Sequence, residues 1–270
     1  MPNFYAHLQL CRRVEQLVPE ELGELLRREE DVFFCGGFGP DPLYFYVQGL
    51  HAGAIRQAGL DIHHHSGAEA MEVFRRPVKE HWPYARAFAA GYLLHFLLDS
   101  RCHPFVKRIA AQGQYTHFAL EGEYDRYLLR HARLGYQDAL PKKPLPPAFF
   151  ALAAQMAEPV TPEIYEKALA NFRWTSIKLG RWAGKPVRHV LNAASRIPPA
   201  RPVRGAILPP ETDHQLEHYL LSLDRLCAGA AEAAPGELEA FFRAVEEDRP
   251  FSLSLGRDYS GNKEEDYGLH

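Results

Sequence analysis

The stretch Tyr92-Leu-Leu-His95-Phe-Leu-Leu-Asp99-Ser-Arg-Cys-His103-Pro104 sets polar side chains four residues apart in an otherwise apolar run. Residues i and i+4 share one face of an α-helix, so the spacing predicts a buried helix with His95 and Asp99 on a common stripe. The apolar run around it, Ala87 to Leu98, is broken by His95. It falls short of the roughly 20 residues needed to span a bilayer. This helix therefore belongs inside a protein core, and no transmembrane segment is expected.

Outward from that stretch, apolar positions mostly recur at helical spacing and strict alternation is absent, which predicts an all-α fold. Helices are expected at 3–17, 19–30, 66–76, 83–102, 117–133, 147–157, 162–180, 183–196, 211–231 and 235–247. Pro104 disfavours helix for the residue before it, so the central helix should end near His103 and turn toward a second site. Cys35 to Pro42 reads as a turn-rich segment, and Pro141 to Pro147 and Ile197 to Pro210 read as connectors. A single multi-helix domain over 1–250 is expected, followed by a polar, flexible tail over 251–270 that frays from about Ser254.

Composition narrows the function classes. Thirty-one basic against 34 acidic residues give a formal charge of −3, so there is no global basic field to draw in nucleic acid or an anionic membrane. Nucleic acid enters only as a candidate substrate. The start, Met1-Pro2-Asn3-Phe4-Tyr5, lacks the basic segment and apolar run of a secretory signal, and a cytoplasmic location is expected. Cys11, Cys35, Cys102 and Cys227 form no C-x-x-C pair and are expected as reduced thiols. Cys102, between Asp99 and His103, reads as a small buried residue rather than a ligand.

The chemistry lies in carboxylate and histidine pairs. An ionised Asp99 among Leu93, Leu94, Phe96, Leu97 and Leu98 would cost several kcal/mol without a partner. A divalent cation supplies one, because zinc accepts neutral imidazole nitrogen together with carboxylate oxygen. Fourteen residues after His103 comes a second i,i+4 pair, His117 and Glu121. Upstream stand His7, Asp41 between two prolines, and the triplet His63-His64-His65, any one or two of which could face a common point. Either pair alone would more often be a hydrogen-bonded core histidine or a solvated face. Their accumulation favours metal. His214, Glu217 and His218 offer another i,i+4 pair, read as an exposed polar face since a di-iron bundle needs two Glu-x-x-His motifs. Gly36-Gly37-Phe38-Gly39 lacks the Lys-Ser/Thr of a phosphate-cradling loop.

His7, the Gly-Pro-Asp-Pro motif at Asp41, the His63 region, the His95/Asp99/His103 block and the His117/Glu121 pair together resemble the bacterial zinc-dependent phospholipases C over about residues 3 to 130. The resemblance implies a first zinc held by Asp41, His63, His95 and Asp99, and a second by His103, His117 and Glu121. It implies a third held by His7 and a bridging Asp99. In the secreted members a terminal tryptophan completes that third site, and this chain begins differently, so two zinc ions are expected and a third with fewer ligands. The implied activity is hydrolysis of a phospholipid to diacylglycerol and a phosphorylated head group. Asp41 is implied as general base as well as ligand, with Tyr44, Phe45 or Tyr46 at the mouth. Two rivals share the cluster: a nuclease or nucleotidase, as in the related single-strand-specific nucleases, and a non-catalytic metal-stabilised protein that binds lipid or a partner. The oligomeric state is not encoded in any motif.

Overall fold

The structure, a computed structural model, describes residues 4–50, 52–135, 137, 140–141, 143–182, 193 and 213–262. In chain order the helices are α1 (Tyr5–Glu15), α2 (Glu20–Arg28), α3 (Glu30–Gly37), α4 (Ala52–His64), α5 (Gly67–Glu72), α6 (Arg75–Lys79), α7 (Ala85–Ala110), α8 (His117–Ala132), α9 (Pro147–Ala153), α10 (Pro162–Trp182) and α11 (Glu217–Glu246). A 3-10 turn, Asp41–Phe45, links α3 to α4. Among the described residues the fold is all-α, and the one β-type pairing is an isolated bridge between Ser66 and Asp258.

The quoted stretch lies on α7, the centre of the molecule. Every residue from Ala87 to Ser100 is buried, as expected of a helix that is apolar on all sides. Helices α1, α3, α5, α6, α8 and α11 pack around it. Its closest partner is α3, and the approach is backbone to backbone: a Cβ on Gly91 would stand 2.1 Å from the Phe33 carbonyl oxygen, and one on Gly36 would stand 2.3 Å from that of Phe88. Gly36 and Gly91 let the two helices meet without side chains between them, while Gly37 faces α1, where a Cβ would stand 2.7 Å from Cys11 Sγ. This contact fixes the depth of His95, one turn beyond Gly91.

Besides residues 35–37, which close helix α3 rather than open a turn-rich segment, four expectations need correction. Helix α7 does not end near His103; it runs through Pro104 to Ala110. Proline in a helix forfeits one ladder bond and costs about 3 kcal/mol, and burial of Cys102, His103, Val106 and Ile109 on both sides offsets it. His103 therefore joins His95 and Asp99 on one stripe at i, i+4 and i+8. Helix α4 was not anticipated, although Ile55, Ala58, Gly59 and Ile62 form its buried face at helical spacing. The two helices expected at 211–231 and 235–247 are one, α11, continuous through Pro235. The expected helix at 183–196 lies outside the described residues apart from residue 193.

The fourth correction concerns the tail. Residues 253–262 do not fray: Leu253–Leu255 form a 3-10 turn and Leu255 and Tyr259 are buried. Polar composition disguises this segment because its polar groups bond to one another. The Asp258 carboxylate accepts from the amides of Ser260 and Asn262, both at 2.8 Å, and from Asn262 Nδ2 at 3.0 Å. Residues 263–270 lie outside the described residues.

Candidate metal centre

Five elements converge on one face of α7. Helix α1 brings His7, the 3-10 turn brings Asp41, α4 brings His63, α7 brings His95, Asp99 and His103, and α8 brings His117 and Glu121. Three sets have ligand-type atoms within 4.8 Å of one another: His7, His95 and Asp99; Asp41, His63 and His95; and His103, His117 and Glu121. Asp99 stands between them. Its Oδ1 is 3.3 Å from His7 Nε2 and 3.6 Å from His103 Nε2. Its Oδ2 is 3.3 Å from His95 Nε2 and 3.6 Å from His63 Nε2. Asp41 Oδ1 lies 3.3 Å from His63 Nε2. On the far side, Glu121 Oε1 lies 2.8 Å from His117 Nε2 and 3.2 Å from His103 Nε2. Of the triplet it is His63 that faces the cluster, while His64 and His65 are exposed.

The outer ring nitrogens explain why the inner ones point where they do. His95 Nδ1 is 3.1 Å from the Gly37 carbonyl, His103 Nδ1 is 2.8 Å from the Tyr259 carbonyl, and His63 Nδ1 is 2.8 Å from the Gly59 carbonyl and 2.7 Å from the Tyr44 hydroxyl. A carbonyl only accepts, so each of these rings keeps its proton on Nδ1, and in the neutral form presents a lone pair at Nε2. Gly39 completes the cradle: with φ +55° it takes a left-handed turn, and a Cβ there would stand 2.3 Å from His95 Cδ2. Helix α1 is tied down by Asp125, whose carboxylate accepts from the amides of Tyr5 (3.0 Å) and Ala6 (2.9 Å). No motif marks Asp125 or the Tyr259 carbonyl, and Gly39, which opens the Gly-Pro-Asp-Pro motif, carries no expectation of making room for His95.

These residues fit a metal. Asp41, Asp99 and Glu121 are buried, and among the described residues their ion pairs are all with histidine. Yet Nε2 of His7, His63, His95 and His103, with Asp41 Oδ1, Asp99 Oδ2 and Glu121 Oε2, lacks a hydrogen-bond partner. Buried polar atoms are rarely orphaned, and a group of them aimed at common points is the signature of cation ligands rather than of a hydrogen-bonded network. The electrostatics agree. At His63 burial opposes the charged ring, but Asp41 and Asp99 outweigh it and raise the pKa to about 10. At His103 Asp99 and Glu121 overcome burial and raise it to about 9. At His95 burial prevails and lowers it. Burial also opposes ionisation of Asp99 and Glu121, yet their histidine neighbours hold both well below the usual carboxylate range. The cluster draws positive charge inward.

Cys102 is buried outside these sets, its Sγ 4.0 Å from that of Cys227. His214, Glu217 and His218 are exposed, as expected of a polar face. Among the described residues no helix is long and apolar enough to cross a membrane.

The family described as zinc dependent phospholipase C matches residues 6–185, a span that contains every residue of the three sets. No curated protein and no solved structure matches the chain. The match covers well over half of the 270 residues, and the chain belongs to the zinc-dependent phospholipase C family.

Proposed function

We propose that this chain hydrolyses the head-group phosphodiester of a phospholipid at this centre, releasing diacylglycerol and a phosphorylated head group. The observation that carries the reading is the convergence of orphaned imidazole nitrogens and carboxylate oxygens on the α7 stripe; membership of the family supports the substrate class. Asp41, His63, His95 and Asp99 would hold one zinc, His103, His117 and Glu121 a second, and His7 with Asp99 a third. Zinc, when bound, supplies Lewis acidity toward the phosphodiester and makes a water molecule acidic near neutral pH.

The protein's own groups do the rest. Asp41 sits on a short 3-10 turn beside His63, a partly exposed member of the cluster, and is the residue assigned to take a proton as well as to bind metal. His117, with 30% of its side chain exposed, and His63, with 13%, are the least covered members and mark the side from which a substrate enters. Tyr44 stands over His63 at that edge, its ring 5.4 Å away.

The test combines metal analysis with a substrate panel. Purified protein should carry about two to three zinc ions per chain and should cleave phosphatidylcholine or another phospholipid. Asp99→Ala should lose more than one zinc, because Asp99 borders all three sets. Cleavage of single-stranded nucleic acid or nucleotides without phospholipid cleavage would sink the reading, and tightly held zinc with no turnover of any ester would leave the non-catalytic one.

A further inference from the structure

The segment after α11 lies outside the family match at residues 6–185, yet it reaches the centre of the site. The Tyr259 ring is buried 4.7 Å from the His63 ring, 5.8 Å from that of His95 and 5.1 Å from Phe96. Its carbonyl oxygen is the acceptor for His103 Nδ1. The path of the segment is held at several points. The Gly67 amide donates to the Arg257 carbonyl at 2.8 Å, Ser66 and Asp258 form a bridge, and Lys107 Nζ donates to Ser260 Oγ at 2.5 Å.

Gly261 is seated where α7 is interrupted. Pro104 cannot donate to the Ser100 carbonyl, and with φ +79° Gly261 lies so close that a Cβ would stand 2.6 Å from that oxygen and 2.7 Å from Pro104 Cγ. The broken rung of α7 is thus the landing point of the segment that supports His103, one residue before it.

His103 needs such support more than its partners do. His117 and Glu121 face each other at i,i+4 on α8. His103 comes from α7 and bonds through Nδ1 to a residue 156 positions away. We propose that residues 253–262 form a strap whose task is to position His103: the Tyr259 carbonyl fixes the tautomer and ring plane that aim Nε2 at the site shared with His117 and Glu121. The inference rests on the zinc reading given above. Tyr259 is a positioning residue acting through its backbone, and the C-terminal strap is part of the metal centre rather than a cover over it.

Two variants test this, read by zinc affinity against a competing chelator and by nitrogen NMR of the histidine tautomers in the zinc-loaded protein, where the liganding rings are neutral. One ends the chain at Ser252; the other, Gly261→Ala in the full chain, forces the strap off Ser100 and Pro104. The expected result is a zinc affinity weakened about 10- to 100-fold for one ion only, with His103 no longer held in a single tautomer while His63 and His95 keep theirs. Unchanged zinc affinity in Gly261→Ala, or an equal weakening of all ions with loss of folded structure, would overturn the proposal. If the shortened chain does not fold, Gly261→Ala alone decides. His103→Ala serves as reference: if it leaves the zinc content intact, the zinc reading itself has failed, and the strap is not at fault.

Discussion

The two ends of the α7 ligand stripe are built by opposite means. At the His95 end the support is compact and comes from the backbone just upstream. Gly36 and Gly91 let α3 and α7 touch, the Gly37 carbonyl takes the His95 Nδ1 proton, and Gly39 leaves room for the ring. At the His103 end, past a proline that breaks a rung, the support is borrowed from Tyr259 and Glu121. The difference teaches that one helix can carry ligands for several ions while each ligand's aim is set by a different part of the chain. Damage to one end should therefore spare the other.

The largest expected effect comes from Gly39→Ala. Alanine resists a positive φ by roughly 1–2 kcal/mol, and its Cβ would collide with His95 Cδ2 at 2.3 Å. His95 is fully buried and belongs to two of the three ligand sets, so it has nowhere to retreat. Zinc at both of those sets should be lost and thermal stability should fall, while zinc at His103, His117 and Glu121 stays. Metal analysis with a chelator titration checks this, and loss of every ion together would dissolve the distinction between the ends.

Much of this contrast could be read in the sequence, and the unread part has a physical reason. His95, Asp99, His117 and Glu121 were legible because helical spacing converts sequence distance directly into shared faces. Helix α4 was obscured by Gly53 and Gly59, which lower helix propensity although the apolar spacing was present. Pro104 and Pro235 misled because propensity marks where a helix is weak, and tertiary burial decides whether it stops there. The Tyr259 carbonyl was invisible in principle: a backbone acceptor has no residue identity, and only the folded path of the chain brings it to His103. Asp125 was placed on a helix correctly, but its task, binding amides 119 and 120 positions away, is non-local.

Asp125→Ala sharpens the comparison from a third direction, with a smaller effect. It strips the buried Tyr5 and Ala6 amides of their acceptor, at about 1–3 kcal/mol for each such group. His7 has no hydrogen bond of its own at either ring nitrogen, so its aim depends on where α1 sits. The variant should weaken the ion held by His7 and Asp99 first, seen as a zinc that exchanges faster than the others, with a lowered melting temperature. An unaltered third ion would mean that α1 is located by its packing on α3, α7, α8 and α11 alone.

The smallest effect is expected at Tyr44→Phe, because His63 has two partners at Nδ1. The hydroxyl lies 2.7 Å from Nδ1 and 3.3 Å from the Gly59 carbonyl, and that carbonyl itself lies 2.8 Å from Nδ1. Burial, with the charges of Asp41 and Asp99, pushes the Tyr44 pKa upward, so the hydroxyl keeps its proton and brings no charge of its own. Removing it leaves Gly59 as acceptor and the tautomer unchanged. Losing an outer partner of a metal-binding histidine typically costs 10- to 100-fold in affinity, and the surviving carbonyl should hold the loss to about tenfold or less. The ion at His103, His117 and Glu121 should not respond. A drop near 100-fold would instead make the Tyr44 hydroxyl, and not the Gly59 carbonyl, the partner that orients His63. The His95 end of the stripe would then depend on a side chain at the mouth, as the His103 end depends on its strap.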